Sequence, residues 1–236
     1  MPENILVISD SRGKNIKPLL IDNTPITHKI KWTTQVLPGA TLENIQKRLQ
    51  RGTRRDNWDL IIVLAGICDF TNRSKVNRNI SLEYKTRKTE EVRHTIDELY
   101  NITPNLHIAT ITPASLLTYS SNREKDSQIE EEQTNLEEDI KSINNYIIDK
   151  NISRDKPTLN LAKISEIRSL KKQGNKRKRV IKYDYKELRD GLHPNTDLLQ
   201  KWATCICNTV TKIVPSDDSS SDEADDTWNF KRQKRT

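Results

Sequence analysis

Three dense apolar runs of strand length constrain the fold of this otherwise polar chain: NILVIS at 4–9, DLIIVLA at 59–65 and LHIATI at 106–111. Short, nearly continuous apolar runs are typical of strands in a parallel sheet that is covered on both faces. Hydrophobic residues make up only 33% of the 236 residues, but they concentrate in these runs. This clustering predicts a folded domain rather than a disordered chain.

Segments with helical periodicity alternate with these runs. Two further strands are expected, one at 29–36 and a shorter one at 158–161. The helices are expected at 13–21, 41–49, 83–100, 123–150 and 196–213. Strands that alternate with helices indicate an α/β protein. We therefore expect a doubly wound, mostly parallel sheet of five strands.

The length and local composition predict one domain and a tail. A chain of 236 residues suits one large α/β domain, which we place at 1–214. Within it, 171–182 holds seven basic residues and no acid, and we expect a less ordered basic insertion there. The polar, biased segment 215–236 is predicted to be a disordered tail.

The net charge of +7 leaves two interpretations open. The 1–214 segment carries 36 basic and 27 acidic residues, so the body is more basic than the whole chain. A basic body favours contact with an anionic partner, and 171–182 and 231–235 are the candidate segments for nucleic acid. The alternative is a lysine-rich surface that is simply solvated. The KRQKR run at 231–235 also resembles a nuclear-import signal.

Cysteine content and hydropathy predict a soluble intracellular protein, cytoplasmic or nuclear. The three cysteines, Cys68, Cys205 and Cys207, are too few for a disulfide scaffold. Cys205 and Cys207 would face different directions on a helix, so no metal site is expected there. No run reaches transmembrane length, and the N-terminal apolar run resembles a strand rather than a signal peptide.

Chemically competent residues follow the predicted strands, where open α/β sheets bind their ligands. Ser11 follows the first strand, and Asp190 and His193 precede the last helix. A serine hydroxyl is a weak nucleophile until a base takes its proton, and His193 can be that base. Asp190, three residues earlier, can hold the imidazole in the required tautomer. The sequence therefore predicts a catalytic Ser-His-Asp triad.

Each of these residues also has a structural interpretation. Ser11 could be a helix N-cap, Gly39 a turn glycine and Cys68 a small buried hydrophobic residue. Asp10 is expected to be a hydrogen-bonding residue of the turn. Arg12 could bind an anionic substrate, but we expect it to point to solvent.

The order of these segments resembles the SGNH/GDSL hydrolase superfamily. Its Gly-Asp-Ser block appears as Ser9-Asp10-Ser11, its lone glycine as Gly39, its Gly-x-Asn-Asp block as Gly66-Ile67-Cys68-Asp69 and its Asp-x-x-His block as Asp190 to His193. The resemblance implies a flavodoxin-like sheet and esterase, lipase or acetylhydrolase chemistry without metal or cofactor. It implies Ser11 as nucleophile, with the N–H groups of Ser11 and Gly39 in the oxyanion hole.

One departure from the family pattern leaves the activity open. Cys68 occupies the position of the Asn that would donate the third oxyanion hydrogen bond, and a thiol is a poor donor. Losing one such donor costs about 10²–10³ in kcat, unless another residue such as Asn72 replaces it. We expect a serine esterase for a small acyl ester. The alternative is a weak or inactive module that binds nucleic acid or a protein partner and is linked to a mobile element or a virus.

Overall fold

The computed structural model describes residues 3–52, 58–71, 82–119, 127–173 and 176–214. Its centre is a parallel sheet of four strands in the order β2-β1-β3-β4. The strands are β1 (Glu3–Ser9), β2 (Ile30–Val36), β3 (Leu60–Leu64) and β4 (Leu106–Ile108). Among the described residues, this order is the flavodoxin-like arrangement without a fifth strand. The predicted α/β class and parallel sheet are confirmed.

Seven helices accompany the strands in the described ranges. They are α1 (Ile16–Asn23), α2 (Leu42–Gly52), α3 (Cys68–Thr71), α4 (Leu82–Ile102), α5 (Leu116–Tyr119), α6 (Ser127–Ser153) and α7 (Thr196–Val210). The five long helices correspond to the predicted ones, with shifted ends. The first begins three residues late because Asn15 adopts a left-handed conformation, with φ of 68°, before Ile16.

Apolar cores lie on both faces of the sheet because successive strand residues point to opposite sides. Ile5, Val7 and Ile62 pack with α1 and α7, whereas Leu6 and Ile61 pack with α2, α4 and α6. All five of these side chains are buried. The continuous apolar runs are therefore explained by a sheet that is covered on both faces.

The predicted fifth strand at 158–161 is wrong. The segment runs beside the end of β4, but Thr110 N–H donates to the Leu159 carbonyl at 2.9 Å without a regular ladder forming. Beyond β4, the side-chain amide of Asn144 accepts the Ile111 N–H at 2.6 Å and donates to the Ile111 carbonyl at 2.9 Å. Asn144 therefore satisfies the backbone of Ile111 where the chain continues beyond β4.

The described residues of the basic segment 171–182 are not irregular, which corrects the prediction that this segment is less ordered. They lie in an antiparallel hairpin of β5 (Glu166–Gln173) and β6 (Lys176–Tyr183). β-branched Val180 and Ile181 favour an extended backbone. The predicted tail 215–236, including 231–235, lies outside the described residues. Within the described ranges, no helix combines the length and hydropathy needed to cross a membrane.

The central sheet should supply much of the stability of the domain. We expect Ile62→Ala, a cavity in fully buried β3, to lower the free energy of unfolding by about 2–5 kcal/mol. Ile26→Ala, at a fully exposed turn position, is the matched control and should leave it almost unchanged. Urea denaturation of the two variants measures the difference. Equal losses would contradict the assigned core.

Candidate active site

Ser11 lies at the carboxyl end of β1, in a single turn of 3-10 helix over Ser11–Gly13. The carboxylate of Asp10 caps this turn by accepting the Arg12 N–H at 2.9 Å. The Asp10 N–H in turn donates to the Leu64 carbonyl of β3 at 3.3 Å. Gly13 is required because a Cβ there would lie 2.2 Å from the Ser9 hydroxyl oxygen. The turn is thereby fixed to the centre of the sheet.

Asp190 and His193 share a compact turn before α7. Asp190 Oδ1 accepts the N–H groups of Leu192 at 3.0 Å and His193 at 2.7 Å, and Oδ2 lies 2.7 Å from His193 Nδ1. Burial alone would raise the pKa of Asp190, but the hydrogen bonds from His193 and Leu192 outweigh it and lower the pKa. The side chain therefore stays a carboxylate. Asn195 then caps α7 by accepting the Leu198 N–H.

The structure brings the three predicted triad side chains together. Ser11 Oγ lies 3.0 Å from His193 Nε2, although the two residues are 182 positions apart. If Nδ1 carries the ring proton, it donates to Asp190 and leaves Nε2 free to accept the Ser11 hydroxyl proton. About a quarter of the His193 side chain is exposed (26%) and Ser11 is half-buried, so both residues can be reached from solvent.

Gly39 lies in a turn that is anchored next to Ser11. Leu37 N–H donates to the Ser9 carbonyl at 2.8 Å, and Ala40 N–H closes the turn on the Leu37 carbonyl at 3.1 Å. Gly39 has a φ of +71°, so the sequence Pro38-Gly39 suits a type II turn. The turn hydrogen bond uses the Ala40 N–H, not that of Gly39. A Cβ on Gly39 would meet nothing within 4 Å, so this position faces open space.

Cys68 lies at the start of α3 and is almost fully buried. Burial, followed by the negative charge of Asp10, raises the pKa of its thiol to about 11. The thiol is therefore protonated near neutral pH, which argues against a nucleophilic role for it. Asn72, the possible substitute donor, lies outside the described residues.

Asp69 has a structural role that the sequence analysis did not assign. Its Oδ2 accepts the Leu42 N–H at 3.0 Å, so it caps α2 directly after the Gly39 turn. Burial raises its pKa to about 6, against the lowering effect of this hydrogen bond. The Gly66–Asp69 block and the Gly39 turn are therefore fastened together. The signal in the sequence was an acidic residue directly after the candidate oxyanion position.

The expectation that Arg12 points to solvent is wrong. Only 4% of Arg12 is exposed, and its Nη1 donates to the carbonyl oxygen and the hydroxyl of Thr112 at 2.7 Å and 2.6 Å. Asp10, its ion-pair partner, is fully buried and has the structural role that was expected. In the described ranges, no group of three or more His, Cys, Asp or Glu could hold a metal ion.

No protein-family model and no curated protein matches the sequence, but solved structures match most of the chain. A lipase/acylhydrolase from Enterococcus faecalis is 16% identical, with a TM-score of 0.51 over 91% of this chain and 98% of that one. A GDSL-like lipase from Bacteroides thetaiotaomicron is 11% identical, with a TM-score of 0.55 over 88% and 89%. An acetylxylan esterase from Geobacillus stearothermophilus is 12% identical, with a TM-score of 0.57 over 89% and 94%.

At these identities the likeness is one of fold. The chain has the esterase-like hydrolase fold of the GDSL lipases and acylhydrolases. The resemblance to the SGNH/GDSL superfamily, inferred from the short blocks, is confirmed at that level.

The buried carboxyl of Asp69 generates a pH prediction. Its folded pKa of about 6 exceeds the usual value, so its contribution to stability is present at low pH and lost as the pH rises through about 6. From about pH 4 to about pH 7, the wild type should lose up to about 3 kcal/mol of unfolding free energy relative to Asp69→Asn. Urea denaturation measures this, with the exposed Asp22→Asn as control. A pH-independent difference would contradict the assignment.

Proposed function

We propose that this chain is a serine esterase that hydrolyses a small acyl ester through Ser11, His193 and Asp190. The observation that carries the proposal is the continuous hydrogen-bonded path from Ser11 Oγ through the His193 ring to Asp190, at 3.0 Å and 2.7 Å. Both separations are within the reach that proton transfer requires. The esterase-like fold supports the same reaction class.

In the acylation step, Ser11 Oγ attacks the ester carbonyl carbon and His193 Nε2 takes the hydroxyl proton. The carbonyl oxygen becomes an oxyanion, which the backbone N–H groups of Ser11 and Gly39 stabilise. The tetrahedral intermediate collapses, the C–O bond of the leaving alcohol breaks, and His193 returns the proton to that alcohol. Asp190 stabilises the imidazolium without taking its proton.

In the deacylation step, His193 takes a proton from water while the water oxygen attacks the acyl-Ser11 carbonyl. Collapse of the second intermediate releases the carboxylic acid and returns the proton to Ser11. The cycle therefore consumes the ester and one water, releases the alcohol and the carboxylic acid, and regenerates the enzyme. We propose acetyl as the acyl group, since an acetylxylan esterase is among the similar structures.

The predicted binding of nucleic acid stays a separate prediction. The hairpin register places Lys171 opposite Lys178 and Lys172 opposite Arg177. Salt-sensitive binding that survives Ser11→Ala would favour the alternative of a binding module, with 231–235 as the second segment.

Removal of the nucleophile tests the proposed esterase directly. We expect Ser11→Ala to lower kcat for p-nitrophenyl acetate by at least about 10³-fold, since triad members act as a unit. The wild type should also be labelled at Ser11 by a fluorophosphonate. Ser142→Ala, on α6 and bonded to Arg93, is the matched control and should retain the wild-type rate. Equal rates for wild type and Ser11→Ala would refute the proposal.

Cys68 offers a gain-of-function test. If the oxyanion hole lacks one donor, Cys68→Asn should raise kcat by about 10- to 10³-fold because an amide N–H replaces a weak thiol donor. Cys68→Ala supplies no donor and should leave kcat within a few-fold of the wild type. Steady-state kinetics on both variants, with Tm as a folding control, decide this. A faster Cys68→Ala or an unchanged, folded Cys68→Asn would contradict a missing donor.

A further inference from the structure

The residues before and after Ser11 in the sequence, Asp10 and Arg12, form a buried ion pair. This pair takes no part in the proposed proton transfers. Asp10 is fully buried, Arg12 is nearly so, and Arg12 Nε lies 3.6 Å from Asp10 Oδ2. Neither of these two atoms has a hydrogen-bond partner among the described residues. A buried ion pair is weak evidence for stability because desolvation opposes the attraction between the charges. Its place around the nucleophile indicates another role.

The Arg12 side chain connects the Ser11 turn to the loop that follows β4. Its Nη1 bonds both oxygens of Thr112, which is 100 positions away in the chain. The guanidinium carbon also lies 5.9 Å from the ring centre of Trp202 on α7. Arg12 therefore contacts two elements beyond its own turn, and α7 is the helix that follows His193.

The 112–115 loop, which accepts the hydrogen bonds of Arg12, also binds the turn that carries Asp190 and His193. Ser115, three residues after Thr112, donates its N–H to the Gly191 carbonyl at 2.7 Å. Gly191 has a φ of +79°, and a Cβ there would lie 2.6 Å from the Ser115 carbonyl oxygen. Gly191 directly follows Asp190. A short path of contacts thus leads from the nucleophile through Arg12 and the 112–115 loop to the turn of Asp190 and His193.

We propose that Arg12 is a positioning residue that sets the separation of Ser11 Oγ and His193 Nε2. It does so by fastening the Ser11 turn to the 112–115 loop, and this inference rests on the proposed esterase function. A guanidinium suits the task because its planar fork can bond Thr112 through Nη1 while Nε faces Asp10. A lysine keeps the charge but lacks the fork. A displacement of about 1 Å between reacting groups can cost about 10² in rate.

Two variants test the proposal. In crystal structures of Arg12→Lys and Thr112→Val, we expect Ser11 Oγ to lie beyond the hydrogen-bond reach of about 3.2 Å from His193 Nε2. For p-nitrophenyl acetate, kcat should fall about 10²-fold in Arg12→Lys and about 10-fold in Thr112→Val, with KM within about twofold. The double variant should lose no more than Arg12→Lys alone, because both changes break the same contact.

The control is Tyr100→Phe, which removes a buried hydrogen bond to Asn151. It should lower Tm without changing kcat or the Ser11–His193 separation. If Arg12→Lys does not fold, Thr112→Val alone tests the inference. Valine has nearly the shape of threonine but lacks the hydroxyl that accepts from Arg12 Nη1. An unchanged separation in the folded variants overturns the inference, and so does a raised KM at constant kcat, which would assign Arg12 to substrate binding.

Failure of the proposed function is distinguishable from failure of this inference. If Ser11→Ala keeps the wild-type rate, the esterase proposal fails, while the crystallographic separation still decides the role of Arg12. If Ser11→Ala is inactive and Arg12→Lys retains both kcat and separation, only the positioning role is refuted.

Discussion

The parallel pairing of β1 with both of its neighbours is the constraint on which the candidate site depends. β1 pairs with β2 along Glu3–Ser9 and with β3 from Ile5 onward, so three carboxyl ends meet at one edge. This register places Ser11, the Gly39 turn and Cys68 at that edge without any contact specific to catalysis. Only the His193 turn arrives from elsewhere, and its helix is held there by apolar packing against the β1 face.

Hydrogen bonds among the loops at this edge of the sheet then fix the positions of the site residues relative to one another. Leu37 and Ala40 fix the Gly39 turn, Asp69 joins α2 to the third loop, and Ser115 holds Gly191. The bonds of Leu37, Asp69 and Ser115 join different loops, whereas the Ala40 bond closes the Gly39 turn on itself. Loops at a sheet edge make few apolar contacts, so hydrogen bonds must hold them in one conformation. The buried Asp10 and Arg12 belong to this network and lie closest to the nucleophile.

Local patterns allowed the sequence to predict much of the fold and the triad. Continuous apolar runs identify β1 and β3, and the Asp-x-x-His spacing anticipates a turn that the Asp190 carboxylate itself organises. The wrong predictions concern features that the local sequence pattern does not determine. Arg12 is buried through Thr112, 100 positions away, and the strand expected at 158–161 fails to form. In 171–182, charge suggested lower order, whereas the described residues lie in two paired strands.

The two halves of the proposed machinery therefore differ in how far sequence alone can define them. The Asp190 and His193 pair is local, and three residues suffice to shape it. The proposed oxyanion hole takes its groups from the ends of three strands, and the weakest donor among them is Cys68, whose buried thiol has a pKa of about 11. A neutral, weakly donating group there leaves stabilisation to two backbone N–H groups. Proton transfer and oxyanion stabilisation are separate demands, so an intact triad does not fix the rate. For the proposed esterase, position 68 therefore determines how far the oxyanion hole lowers the reaction barrier.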